Sequence, residues 1–397
     1  MPSLTKRALF LILATFLACG LSAAMPALAF GEEPQETTST DILLLDEDAE
    51  PAPIVPLAGP PFFAIGLNTY NTLAEALAAA VDGDIITLLD DYTDNTGTSI
   101  IVSTASGISL LTIDLDGFDL DIATGDIQIG IGGELIIVGA GTVSVYETLE
   151  VDGGTLTAHA DIISISFQDN YFFGLYAVNG AQVSVTGNVT SNGYFTPAVT
   201  AVGVGTSVDV LGDIQGFGLS SAGVSAQDGA LVMATGNISG GAAGISAIEA
   251  ANVTVTGNVS TTEPLFGYNA ISAIDATVTV TGNVTAVVDA NSVGAFAQNG
   301  GMITIDGIIT ASVYIMLDTA TKTAADYQAN SSLAGYLEFT DGTNFVWVKG
   351  EIPSQPGGTP ATGDSTGMVA LAIILALAAL GMAGIELSRR HRLISLR

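Results

Sequence analysis

Between Leu135 and Ile305 the chain repeats one short pattern: apolar, polar, apolar, a small or hydroxyl residue, then Gly and an Asn or Asp. Its clearest forms are VTVTGNV at Val253–Val259 and again at Val278–Val284, with VSVTGNV at Val183–Val189. Aligned on the Gly, the rungs fall at Gly117, Gly139, Ala160, Gly187, Gly212, Gly236, Gly257, Gly282 and Gly307. Four residues before them stand Ile113, Leu135, Leu156, Val183, Val208, Val232, Val253, Val278 and Ile303, and two before them a second set running from Leu115 to Ile305. Polar residues mostly separate the two sets, which is the period-2 alternation of a strand with one buried face.

Rungs 21 to 27 residues apart, with the length varying in one segment, mark a solenoid. One coil cannot bury its apolar face alone, so coils stack and like strands pair in parallel. The Gly is expected to supply a tight turn. Asp161, Asn188, Asp213, Asn237, Asn258 and Asn283 follow it in six consecutive rungs, and stacked Asx side chains can bond turn amides and one another. In the three quoted copies the Asn, Asn188, Asn258 and Asn283, also reads as a glycosylation acceptor. A place in a ladder accounts for them without sugar.

Upstream, YNTLAEALAAAVDGDIITLLDDY (Tyr70–Tyr92) predicts a short helix. Thr72 and Glu75 form a capping box, Leu73, Leu77 and Ala80 its apolar face, and Gly83 its end before a strand from Ile85 to Leu89. Downstream, GYLEFTDGTNFVWVK predicts a hairpin turning at Asp341-Gly342, with Phe339, Phe345 and Trp347 free to cover the end of the solenoid.

Over residues 62–318 the chain resembles bacterial surface proteins of the right-handed parallel β-helix type, with a pectin-lyase-like fold. The resemblance implies an all-β, single-stranded right-handed parallel β-helix whose open N-terminal end is plugged by the helix. Residues 319–350 are then a C-terminal cap.

The termini speak of location. Lys6, Arg7, an apolar run and Ala27-Leu28-Ala29 form a secretory signal peptide over 1–29; a lipoprotein site at Cys19 is the alternative. Residues 30–61, acidic and Pro-rich, are expected to be disordered. Residues 351–366 are a tether carrying Thr359-Pro360-Ala361-Thr362-Gly363. Residues 367–387 form an apolar segment whose core from Met368 to Ile385 gives about 27 Å of helix, enough for a transmembrane helix. The basic tail, 388–397, holds Arg389, Arg390, Arg392 and Arg397 and stays cytoplasmic. Pentapeptide, apolar helix and basic tail together resemble the cell-wall sorting signal of Gram-positive surface proteins. That resemblance implies sortase as a partner and Thr362 as the residue joined covalently to peptidoglycan, although Thr359 stands where Leu is usual. A plain single-pass membrane protein is the alternative.

Charge narrows the partners. The chain carries 40 acidic and 8 basic residues, a net charge of −32. Between Phe30 and Thr362 there are 38 acids and two bases, Lys322 and Lys349, so 2 − 38 = −36. A nucleic-acid partner is excluded by the missing cationic patch. No Cys occurs after Cys19, so the secreted part has no disulfide.

Chemistry is sparse. Lyases of the resembled fold take a proton with Arg or Lys, and the coils hold neither. Hydrolases of the fold use carboxylates on neighbouring coils, and here the Asp residues are scattered; a hydrolase stays as the alternative function. His159, one residue before a turn, reads as an exposed solenoid residue. Asp114, Asp116, Asp119 and Asp121 in DLDGFDLD offer oxygens for Ca²⁺, the one cofactor considered, or are outward strand positions. The aromatics are the clearest candidates. Phe167, Tyr171 and Phe172, then Tyr194 and Phe195, then Phe217, then Phe266 and Tyr268 fall in the variable segment of successive coils. They line one side and either stack on sugar rings or pin their loops. The expected function is a secreted, wall-anchored, adhesin-like or structural module meeting a glycan or a host or neighbour-cell surface; an inert spacer is the bland alternative.

Overall fold

The computed structural model describes residues 60–146, 148–165, 174–263, 268–287 and 291–350. The expected leader, sorting motif, membrane helix and basic tail lie outside the described residues. Among the described residues no helix is long and apolar enough to cross a membrane.

The chain is an all-β parallel solenoid. It visits three sheets in turn, one strand in each per coil. The second sheet holds ten strands, from Tyr92–Asp94 to Ile309–Thr310, all parallel, and sets ten coils, a stack of about 48 Å at ~4.8 Å each. The third sheet runs from Ile100–Val102 to Val313–Leu317, closed by an antiparallel strand, Ala320–Lys322. The first sheet runs from Ile85–Leu88 to Met302–Ile305 and takes Phe345–Lys349 as an eleventh parallel strand.

Both apolar columns face inward, and every member is 4% exposed or less. Their register matches the Gly alignment from Leu135 to Ile303. The first rung departs from it. Leu111, not Ile113, pairs with Leu135, and Ile113 pairs with Ile137. A slip of two keeps every side chain on its face, so alternation cannot detect it.

At the corner between the first and second sheets the expected turn role of the Gly holds only in the early coils, where Gly117 and Gly139 have positive φ. From Gly187 onward its Gly residues lie outside the left-handed region; what they avoid is collision. A Cβ on Gly212, Gly236, Gly257, Gly282 or Gly307 would stand 2.3 or 2.4 Å from the carbonyl oxygen of the Gly one coil before. Beside them runs the Asx ladder. Asn188 N and Nδ2 donate to Asp161 Oδ1, Asp213 N to Asn188 Oδ1, Asn237 N to Asp213 Oδ1, Asn258 N and Nδ2 to Asn237 Oδ1, Asn283 N to Asn258 Oδ1 and Ile308 N to Asn283 Oδ1, all within 3.2 Å. It begins earlier than the repeat suggests, with Asp119 N on Asp91 Oδ1 and Thr142 N on Asp119 Oδ1. At this corner positive φ is confined to the early coils, at Asp116-Gly117, Gly139 and Gly141; the recurring left-handed pairs lie between the third and first sheets, in Asn179-Gly180, Asp228-Gly229 and Asn299-Gly300.

Both ends are covered. Helix α1 (Leu73–Ala79) buries Leu73 and, beyond expectation, Ala76 in the core, while Leu77 and Ala80 of the expected face pack against it half-buried. Thr72 Oγ1 accepts Glu75 N at 3.1 Å, while Glu75 Oε2 reaches back to Asn71 N, one residue before the cap. Ala80 already has extended backbone, so the helix stops before Gly83, which turns the chain into the first coil. An antiparallel hairpin, Phe63–Ile65 with Asn68–Tyr70, precedes it and was not legible from alternation. At the other end the hairpin Tyr336–Thr340 and Phe345–Lys349 turns at Asp341-Gly342, where Asp341 Oδ1 accepts Thr343 N and Asn344 N. Of the three expected end-covering rings only Phe339 is buried, edge-on to Tyr314. Val346 and Val348 continue the inward columns, so Phe345 and Trp347 alternate to the outside and stack there, centroids 5.3 Å apart. Tyr336 donates its hydroxyl to Asp306, which also pairs with Lys349 at 3.8 Å, and burial with that carboxylate pushes the phenol up to about 12.

Candidate functional site

The third corner, between the second and third sheets, is where coil length varies. Its loops stack on one another through a second set of small residues. A Cβ on Gly218 would lie 1.8 Å from Gly193 O, and one on Gly241 1.9 Å from Gly218 O. Phe217 N donates to Ser191 O and Ser220 N to Tyr194 O, so each loop rests on its predecessor. Ser220 Oγ and Tyr268 OH stand 3.4 Å apart, bridging two coils.

This stacking places Tyr194 and Phe195 in one loop and Phe217 and Leu219 in the next, the rings 60%, 56% and 52% exposed. Rings this exposed do not fill the core. Tyr268 is half-buried. Phe167, Tyr171, Phe172 and Phe266 lie outside the described residues, so the expected stripe is described over its central part.

Beside the loops lies the outer face of the third sheet. Tyr176, Thr200, Ser225, Ser246, Ser272 and Phe296 pair in register down one outward column. The next outward column is Val178, Val202, Gln227, Ile248, Ile274 and Gln298. Neither column contains a carboxylate or an amine, in a chain of net charge −32. Thr200 is 1% exposed and its Oγ1 has no hydrogen-bond partner. None of this face was among the expected site residues. The signal was present as a second repeat, AGVSAQ, AGISAI, NAISAI and VGAFAQ, masked by the stronger VTVTGNV.

A carboxylate group closes the N-terminal side of this face. Glu150 precedes Tyr176 in the same column and pairs with Gln128 on the other side. Burial pushes the Glu150 carboxyl up, and the charges of Asp152 and Asp126 push it further. Asn179 Nδ2 donates to Asp152 Oδ1 at 2.6 Å, and Gln128 Nε2 to Asp126 Oδ2 at 3.2 Å. Burial, then Glu150 and Asp152, likewise raises the Tyr176 phenol. Asp126 and Asp152 flank Glu150 from opposite ends of its strand, a proximity set by the coil spacing.

The four Asp residues considered for Ca²⁺ are put to other uses. Asp114 Oδ1 accepts Asp116 N, Asp116 has left-handed backbone, and Asp119 is a ladder member. Asp121 sits on the outer face of the second sheet opposite Thr93, its carboxyl raised by burial. Among the described residues no group of three or more His, Cys, Asp or Glu is arranged to hold a metal. His159 lies on the outer face of the first sheet, its Nδ1 3.0 Å from Thr186 Oγ1.

The geometry divides the solenoid into two corners that stabilise it and one side able to present rings, hydroxyls and a carboxyl whose pKa is raised by burial. Comparison of the chain with protein-family models, with curated proteins and with solved structures finds no match in any of the three.

Proposed function

We propose that this protein is a wall-anchored, adhesin-like surface rod that binds a glycan or a neighbouring cell surface through its loop-bearing side. One observation carries the reading: Tyr194, Phe195 and Phe217 are held on stacked glycine-rich loops yet remain more than half exposed. Large rings normally leave water unless a partner covers them, and exposed ring faces beside hydroxyls suit a pyranose. The sorting signal supports the location, with Thr362 as the residue joined to the wall by sortase and the basic tail left in the cytoplasm.

One experiment tests both halves. Cells displaying the full chain are compared with cells carrying Thr362→Ala or Tyr194→Ala/Phe217→Ala, by wall fractionation and by binding to a glycan array. Thr362→Ala should move the protein from wall to membrane and medium; unchanged wall content sinks the anchor. The ring variant should stay in the wall and lose binding; undiminished binding sinks the ring site.

A second reading, a glycan hydrolase, is favoured by the carboxylates at the end of the same face. Two acidic groups in unlike environments are what acid and base roles require, and Glu150 is the one whose surroundings favour holding a proton. New reducing ends on the array glycans, lost in Glu150→Gln, would support it over simple binding.

A further inference from the structure

We propose that the outer face of the third sheet, from Tyr176 to Phe296, seats an uncharged glycan chain laid along the rod, with the Thr200 hydroxyl as its deepest contact. The inference rests on the reading of the loop-bearing side as a glycan-binding side, and it names the class of glycan and the floor beneath it.

Charge makes the selection. The twelve outward positions of the two columns hold no carboxylate and no amine, so nothing there pairs with an anionic sugar. Around them the chain's net −32 repels a polyanion. A polyuronate or sulfated glycan would enter an anionic field and find no counter-charge; a neutral chain meets no such penalty. The same field opposes a second copy of this chain. A peptide strand would need unpaired edge backbone, and this face lies within a sheet whose successive strands are paired.

The floor has the two-sided chemistry that a sugar presents. One column offers hydroxyls, Thr200, Ser225, Ser246 and Ser272, recurring once per coil at about 4.8 Å. Its neighbour is mostly aliphatic, Val178, Val202, Ile248 and Ile274. Tyr176 and Phe296 stand at the two ends of the hydroxyl column. Thr200 Oγ1 marks where a ligand has most to gain. It has given up water without gaining a partner in the protein, and a buried polar group left in that state is costly. Ser225, next in the column, is half-buried.

The test uses the full secreted rod and a defined panel: dextran, mannan and xylan as neutral probes, polygalacturonate and heparin as anionic ones. Thr200→Val keeps the shape and removes the hydroxyl, and Ser246→Val does the same at a more open floor position. At least one neutral probe should bind with an affinity unchanged by salt, and each variant should weaken it roughly tenfold, the worth of one hydrogen bond. Thermal melting should show Thr200→Val as stable as the parent or more so, since an orphan hydroxyl becomes a methyl. Binding by anionic probes alone, or neutral binding untouched by both floor variants, would overturn the proposal while leaving the ring site standing. Failure of every probe to bind, with the rings intact, would remove the glycan-binding reading and this proposal together.

Discussion

Replacing Gly257 tests whether the ladder glycines serve close approach or left-handed backbone. An added Cβ there would stand 2.3 Å from Gly236 O and 2.6 Å from its carbonyl carbon. Ordinary contact needs about 1 Å more, so the two coils must part at that corner. Parting strains the bonds on either side, Asn258 N and Nδ2 to Asn237 Oδ1 at 3.0 and 2.9 Å, and Gly282 N to Gly257 O at 3.1 Å. Overpacking costs about 1–3 kcal/mol and each weakened bond about 1 kcal/mol, so Gly257→Ala should lose roughly 2–5 kcal/mol. At a few degrees per kcal/mol for a domain of this size, Tm should fall by roughly 5–15 °C. Gly180 is the control. Its φ is +84°, and a Cβ there meets nothing within 4 Å, so Gly180→Ala costs only the left-handed penalty of about 1–2 kcal/mol. Asn separates the two cases, because it tolerates left-handed backbone but still carries a Cβ. Gly180→Asn should restore much of the loss, and Gly257→Asn should be as damaging as Gly257→Ala. Melts followed by circular dichroism decide it. If Gly257→Asn were tolerated like Gly180→Asn, the close-approach argument would fall.

Two further expectations concern the ladder and pH. Asn258→Ala removes the acceptor for Asn283 N and should cost about 1–3 kcal/mol, with faster amide exchange at Asn283; unchanged protection there would deny the ladder its role. Glu150, Asp209 and Asp121, raised by burial, and Glu249, raised chiefly by its hydrogen bond with Asp228, bind protons more tightly folded than unfolded. Their contribution is present below the ordinary carboxylate range and is lost as pH rises through their raised folded values. Asp82, Asp326, Glu338 and Asp341 are lowered, so their stabilisation is lost as pH falls below the ordinary range. Tm should therefore rise on mild acidification and fall again in stronger acid, and Glu150→Gln should flatten the first limb. A Tm that falls steadily from neutral pH would refute this.

What the sequence disclosed and what it concealed divide along physical lines. Val253, Val255, Val278 and Val280 announced their inward faces because burial repeats at period 2 in every coil. The Asn column was visible for the same reason, since each coil's amide must find the previous coil's oxygen. The reason for the Gly was hidden, because a Gly kept for lack of room and a Gly kept for positive φ look alike in one dimension. The paired left-handed corner was written as Asn179-Gly180, Asp228-Gly229 and Asn299-Gly300, and at Glu249-Ala250 it uses no Gly at all. The rings of the variable loops were legible as a group, whereas their exposure depended on how Gly193 and Gly218 stack, which is tertiary information.

The division of labour among the corners also explains where specificity can arise. Two corners are constrained at each step by backbone contact with the coil below, through the Gly and Asx ladder on one and left-handed pairs on the other. A change there is felt by the neighbouring coils, since each rests on the last. At the third corner the loop length varies between coils while the flanking strands keep register, as Ile214–Gly216 with Ile238–Gly240 and Ala222–Gln227 with Ala243–Ile248 show. A substitution such as Tyr194→Ala on an exposed ring should cost little stability, within about 0.5 kcal/mol. The solenoid can therefore vary its rings and outer hydroxyls without disturbing the inward columns, and the loop-bearing side is where a binding surface can change while the rod stays the same.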